Sequence, residues 1–333
     1  MENSEFKAYV VDNVDGNFVG KIKNKKLEDL PEGDLLVKVS FSSLNYKDAL
    51  SSIGNKGVTK TFPHTPGIDA VGTVVESENS QFKRGDKVIV TSYDLGMNTD
   101  GGFAEYIKVP SQWALRLPDD LSMKESMIYG TAGLTAGMSV LRLTELVKPN
   151  AGNIIVSGST GGVGALSVAI LSKLGYSVTA ITGKESEKDY LLNLGAKEIM
   201  PRKEFEDLAK KPLLKTLYAG GIDTVGGVIL ENIIKSVKPM GAVTCCGNAA
   251  SPNLEITVFP FILRGVTLIG IDSQNYPMSY REQVWNGLAK DLKPNMLHEM
   301  CNEVSLEGVQ EKIDLILQGK LKGRTVINLQ NKF

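Results

Sequence analysis

The chain has 333 residues, enough for two domains of ordinary size. Hydrophobic residues make up 42% and charged residues 23%, the texture of a globular protein that is neither disordered nor membrane-spanning. With 37 Lys and Arg against 38 Asp and Glu, no bulk positive charge offers a nucleic-acid surface. Cys245, Cys246 and Cys301, with His64 and His298, supply neither a disulfide framework nor a metal-ligand set, so no metal is expected.

The start of the chain, residues 1–7, is polar and acidic where a secretory signal has a basic start and an apolar run, which predicts a cytoplasmic protein. The short charged cluster at 21–26 reads as a solvated turn or strand edge. Apolar runs at 35–39, 70–75, 87–90 and 103–107, parted by turn residues at 31–34 and 84–86, predict short strands of an antiparallel, barrel-like β domain. From about 122 the texture changes. Runs at 153–157, 177–181 and 242–246 alternate with helical patterns, which predicts an α/β fold with a parallel sheet and crossover helices. A helix over 309–318 and a strand over 324–329, returning to the first domain, close the chain.

The most informative stretch is 153–171, where an apolar strand runs into Gly158-Ser159-Thr160-Gly161-Gly162-Val163-Gly164 and then a helix with small residues in its first turn. This is the context of a dinucleotide fingerprint. Gly161 admits the pyrophosphate, Gly164 lets helix and strand pack, and Ser159 replaces the first glycine of the standard pattern. About 20 residues on, where an acid would hold a free ribose hydroxyl, stand Thr182, Gly183 and Lys184. A cation there favours a 2′-phosphate, hence NADPH over NADH. The plainer reading is that Lys184 and Lys188 decorate an exposed helix start, with Glu185 and Glu187 diluting the field.

The segments 84–88, 101–106, 133–136, 159–164 and 194–196 resemble, in order, the medium-chain dehydrogenase/reductase superfamily in its zinc-independent quinone oxidoreductase branch. Within it, 44–50, 66–69, 222–226 and 260–266 resemble the YhdH/YhfP group, which includes acryloyl-CoA reductases. The resemblance implies a GroES-like β-barrel catalytic domain over 1–121 and 274–333, a Rossmann doubly wound parallel sheet binding NADPH over 122–273, and usually a homodimer. It also implies cofactor contacts at Tyr46, Thr160, Gly161, Gly162, Val163, Thr182, Gly183 and Lys184, with Arg202, Asn248, Ile262, Ser273 and Arg324 as further candidates. Zinc-dependent relatives carry a cysteine near Asn45 and a Gly-His-Glu after a proline. Here Pro66-Gly67-Ile68-Asp69 puts Ile68 in the histidine's place, and 93–101 is too short for a structural zinc lobe and lacks cysteine.

Without a metal, hydride adds to the β-carbon of an α,β-unsaturated thioester or ketone while the carbonyl takes up charge as an enolate. The protein then supplies orientation, hydrogen bonds to the enolate oxygen and a proton for the α-carbon. Tyr46 is the candidate acid, although a phenol is a modest acid at neutral pH, and packing on the nicotinamide with water as the proton source is an equal alternative. Asn45 and Asp48 are candidates for binding the carbonyl or holding the loop. Lys47, Lys56 and Lys60 are candidates for the phosphates of a coenzyme A tail. The leading expectation is an NADPH-dependent acryloyl-CoA-type reductase; the alternatives are an NADPH:quinone reductase and a non-catalytic NADPH-binding redox sensor. The apolar run at 265–271 near the edge of the dinucleotide sheet adds to the expectation of a homodimer.

Overall fold

The computed structural model describes residues 5–208 and 210–330, so residues 1–4 of the segment read for a secretory signal lie outside it. The chain forms two compact units. One takes in the described residues up to Thr131, with Gln274–Gln283 and residues 297–330; the other is Ala132–Ser273 with Val284–Met296.

The first unit opens with a hairpin, β1 (Glu5–Val14) and β2 (Asn17–Lys26), paired antiparallel. Its two-residue turn is Asp15-Gly16, at φ 51° and 85°, the left-handed pair that a tight hairpin demands. The 21–26 cluster is thus the second half of a largely exposed strand, with Lys23 bonded to Asp12 and Lys25 to Asp100.

The main sheet of this unit has β3 (Leu35–Ser43), β4 (Asp69–Ser77), β5 (Lys87–Thr91), β6 (Tyr106–Val109) and β7 (Ala114–Arg116), joined from the far end of the chain by β14 (Cys301–Ser305) and β15 (Arg324–Asn328). The order is β14-β15-β3-β4-β5-β7, with β6 beside β3; only β14 and β15 pair in parallel. Leu35, Val37, Val39, Val74, Val88, Val90, Ile107 and Val109 fill its core. The strand expected at 103–107 begins later, at Tyr106, because Phe103 is engaged elsewhere: its carbonyl accepts from Tyr9 and its amide donates to Pro66. Helices α1 (Tyr46–Ser52) and α9 (Val309–Leu317) complete the unit.

The second unit is a six-stranded parallel sheet of β8 (Ile154–Val156), β9 (Val178–Thr182), β10 (Glu198–Pro201), β11 (Tyr218–Asp223), β12 (Val237–Cys245) and β13 (Thr267–Gly270), in the order β10-β9-β8-β11-β12-β13. β8, β9 and β11 are buried along their whole length, as a sheet covered on both faces requires. Helices α3 (Gly162–Lys173), α4 (Lys188–Asn193), α5 (Arg202–Glu206), α6 (Gly227–Ser236) and α7 (Phe259–Arg264) make the crossovers. Helices α2 (Met123–Leu146) and α8 (Met278–Ala289) each begin in the first unit and end in the second; α2 is broken at Gly130, at φ 50° and ψ −154°. Among the described residues no helix is long and apolar enough to cross a membrane.

Candidate active site

Strand order reverses between β8 and β11, and at such a switch point the carboxyl ends of the strands leave a crevice for a ligand. The glycine-rich loop leaves β8 at this point. Gly158 turns the chain at φ 57°, and Ser159, buried where the standard pattern has glycine, spends its Oγ on the Val156 carbonyl at 2.8 Å. Gly161 precedes the first turn of α3 in extended conformation, leaving the Gly162 and Val163 amides at the helix N-terminus, where an anion is favoured. A Cβ on Gly164 would collide with the Gly158 carbonyl, so glycine there sets how closely helix and loop approach. Thr160 is buried, Gly161 exposed, and Gly162 and Val163 half-buried. Beneath the loop lies Asp223, which accepts from Ser157 Oγ at 2.7 Å and the Gly226 amide at 2.8 Å, tying the ends of β8 and β11 together; burial raises its pKa.

At the neighbouring carboxyl ends, Thr182 closes β9 and pairs with Pro201 of β10. Thr182 Oγ1 accepts from the Lys184 amide at 3.0 Å, which shapes the turn, and a Cβ on exposed Gly183 would stand 3.1 Å from the Arg202 guanidinium carbon. Gly183 and Arg202 therefore lie together at the turn that Thr182 and the Lys184 amide shape, and Arg202 makes a long 3.7 Å contact to Glu206.

Asn248 follows β12 and Ser273 follows β13, both on the same carboxyl edge, and Ser273 accepts from Thr135 Oγ1 at 2.8 Å. A cavity of about 650 Å³ opens there, lined by Gly226, Cys246, Gly247, Asn248, Gly270 and Asp272 among others. Ile262 is elsewhere. It lies on α7, which leads through Gly265 into the amino end of β13 and is pinned by Arg264 to the carbonyls of Leu214 and Lys235; its side chain is 68% exposed. The expected cofactor contact at Ile262 thus stands on an exposed helix between β12 and β13.

In the first unit the other candidates gather around a buried carboxylate that sequence reasoning did not single out for a role. Asp69, fully buried, accepts from Ser43 Oγ at 2.6 Å, Asn45 Nδ2 at 2.7 Å, Thr131 Oγ1 at 2.6 Å and the Thr131 amide at 2.9 Å. Arg324, expected at the cofactor, points into this cluster instead. Its guanidinium donates to the carbonyls of Ile128 (2.9 Å) and Leu44 (3.1 Å) and to Ser43 Oγ (2.9 Å), and lies 3.9 Å from Asp69. Its side chain is 4% exposed, which makes Arg324 a buried clamp on this cluster.

Asn45 likewise has both amide hydrogens engaged, one on Asp69 and one on the Ser43 carbonyl at 3.2 Å. Asp48 is buried and accepts backbone N–H groups of Asn45 (2.7 Å), Gly67 (3.1 Å) and Ile68 (2.8 Å). These bonds turn both away from donating to a substrate carbonyl and make them holders of the turn. Burial pushes the Asp48 carboxyl up to about 7, with repulsion from Asp69 adding and the backbone donors opposing. The folded protein then keeps a proton that the unfolded chain releases near the ordinary value of 3.8. Its contribution to stability accordingly falls as pH rises from about 4 to about 7, by at most about 1.4 kcal/mol per pH unit. Urea titrations across that range should show the Asp48→Asn variant, which lacks the titration, gaining relative to the unmodified chain; parallel pH profiles would refute this.

Tyr46 is different. First residue of α1, it is 49% exposed, with its phenol outside the buried cluster. Lys47 is half-buried, its Nζ 2.7 Å from Gln274 Oε1, whereas Lys56 and Lys60 are exposed.

Residues 31–119 match the family model described as alcohol dehydrogenase GroES-like domain, and residues 162–290 that described as zinc-binding dehydrogenase. The putative quinone oxidoreductase YhfP of Bacillus subtilis is 43% identical over 92% of this chain and 94% of its own. Its crystal structure with NAD bound aligns at a TM-score of 0.96, with 41% identity over 98% of this chain and 100% of that one. The probable acrylyl-CoA reductase AcuI of Escherichia coli is 40% identical over 97% of this chain and 99% of its own. The YhdH oxidoreductase from Salmonella enterica, solved in complex with NADP, aligns at a TM-score of 0.95 with 40% identity over 97% and 100%.

Proposed function

Because the chain belongs to the medium-chain dehydrogenase/reductase superfamily, in the group that holds YhfP and AcuI, we propose that it is an NADPH-dependent reductase of activated carbon–carbon double bonds whose leading acceptor is a short α,β-unsaturated thioester. The observation that carries the cofactor is the Arg202 guanidinium packed over Gly183 beside the phosphate loop, on the carboxyl edge of one sheet, with Lys184 next in the chain. The residues fit the group: the α3 amides would hold the pyrophosphate, and Lys184 and Arg202 beside exposed Gly183 would hold a 2′-phosphate where an acid would repel it. The relatives' structures hold NADP in one case and NAD in another, so the choice is this chain's own to show. Replacing Arg202 with Ala should raise KM for NADPH about tenfold, the worth of one charge-assisted hydrogen bond, and leave KM for NADH within twofold. Equal changes for both cofactors would remove Arg202 from the 2′-phosphate.

NADPH, when bound, supplies the hydride. The chain's own task is to hold the acceptor's carbonyl and deliver a proton to the α-carbon, and Tyr46 is the polar side chain of its turn left open to do so. Zinc-free chemistry fits this corner. At the positions where zinc-dependent relatives carry Cys, His and Glu stand Asn45, Ile68 and Asp69, and Asn45 and Asp69 are hydrogen-bonded to each other.

The test is NADPH oxidation with acryloyl-CoA beside small quinones. A higher kcat/KM for the thioester supports the proposal; a much higher value for quinones would favour the second reading, suggested by the YhfP name, and hydride transfer to neither would leave a binding protein.

We further place the protein in the cytoplasm as a homodimer. Its three free cysteines suit a reducing compartment, and β13 is an edge strand flanked by exposed Met240, Val258, Ile262 and Leu263. Light scattering at micromolar concentration should give twice the chain mass; a monomer would overturn this.

A further inference from the structure

Four segments distant in sequence meet at one buried carboxylate. The β3–α1 turn brings Ser43 and Asn45, β4 begins with Asp69, the break in α2 brings Gly130 and Thr131, and β15 begins with Arg324. The approach is close enough that a Cβ on Gly130 would collide with the Asp69 carboxylate and the Ser43 hydroxyl. The helix break takes its special backbone here and nowhere else along α2, and Thr131, where the helix resumes, gives both amide and hydroxyl to Asp69.

A carboxylate is suited to such a place because it accepts on every side. An amide of the same shape would turn its NH₂ toward Ser43, Asn45 or Thr131, each of which arrives as a donor. The bond that matters beyond packing is that from Asn45, whose backbone precedes Tyr46 and whose side chain donates to Asp69 at 2.7 Å. Asp48 anchors the same turn from below through the Asn45 amide, so the peptide leading into Tyr46 is fixed at its main chain by one carboxylate and at its side chain by another.

We propose that Asp69 is a positioning residue for Tyr46, acting through its hydrogen bond to the Asn45 side chain. The proposal rests on the reading of Tyr46 in the proposed function. The cluster does not touch the acceptor; it narrows the directions in which the phenol can point, and so acts on the rate of the reaction at saturation rather than on cofactor affinity.

The experiment is a double-mutant cycle in kcat with Asp69→Asn and Asn45→Ala, at saturating NADPH and acceptor, with NADPH affinity measured by fluorescence and hydrogen exchange followed over 46–52. Each single variant should lower kcat about tenfold or more, with NADPH affinity within twofold. The double variant should be no slower than the slower single, because the two act through one bond. Losses that multiply in the double variant, or unchanged kcat in Asn45→Ala, would overturn the proposal. Should Asp69→Asn not fold, Asn45→Ala decides alone, since it leaves Ser43, Thr131 and Arg324 around the carboxylate. Should the unmodified protein turn over no acceptor, the proposed function fails. The positioning claim is then decided by exchange: faster exchange over 46–52 in Asn45→Ala upholds it, and unchanged exchange refutes it.

Discussion

Replacing Gly130 with Ala should destabilise the protein by about 3 kcal/mol or more, read as the shift in the urea midpoint at constant slope. Two costs add. The backbone at φ 50° and ψ −154° is a conformation that an L side chain adopts only under strain, and the new methyl would stand in the space held by Asp69 Oδ2 and Ser43 Oγ. Neither neighbour can yield cheaply, because the carboxylate is fixed by several donors and the hydroxyl by Arg324. Gly85→Ala is the control: Gly85 has φ 95° but nothing within 4 Å of the added carbon, so it isolates backbone strain at about 1 to 2 kcal/mol. If both variants lose the same amount, the buried cluster adds nothing to the helix break.

The second large effect is on rate. Tyr46→Phe should lower kcat with acryloyl-CoA by roughly 10², the lower end of what a positioned acid contributes, with KM for NADPH and thermal midpoint little changed. The ring is retained, and a residue 49% exposed contributes little to the core. A kcat unaffected by loss of the hydroxyl would assign the α-proton to water and leave Tyr46 as a packing surface.

Regular elements are legible in the sequence of both units: the runs at 87–90, 309–318 and 324–329 fall on Lys87–Thr91, Val309–Leu317 and Arg324–Asn328. β-branched runs entering glycine turns carry their own geometry, so β8, the phosphate loop, α3 and β9 fall within a residue or two of expectation. The meeting of Arg202 with Gly183 was open to the same reading, since both follow adjacent parallel strands at their carboxyl ends. The hairpin at the start of the chain is not announced by apolar alternation, which the lysines of β2 break, although Asp15-Gly16 is a strong turn signal. Arg324 shows the limit of local reading. A lone cation at the head of a strand looks like an anion binder, and nothing local to it announces an acid 255 positions earlier that is buried against it. Asn45 and Asp48 show the same limit: residue type leaves carbonyl binding and holding the loop both open, and it takes their hydrogen-bond partners to favour the second.

The interleaving of the two units also bears on biosynthesis. Strand β15 lies between β14 and β3, so the barrel sheet lacks an interior member until residues 324–328 are made. The parallel sheet, complete by Gly270, has all its strands available earlier. On the ribosome the cofactor-binding half can therefore assemble first, while the earlier-synthesised barrel strands wait. A stop codon ahead of residue 324 would leave β3 with an open edge, and the truncated product would be prone to aggregate rather than merely inactive.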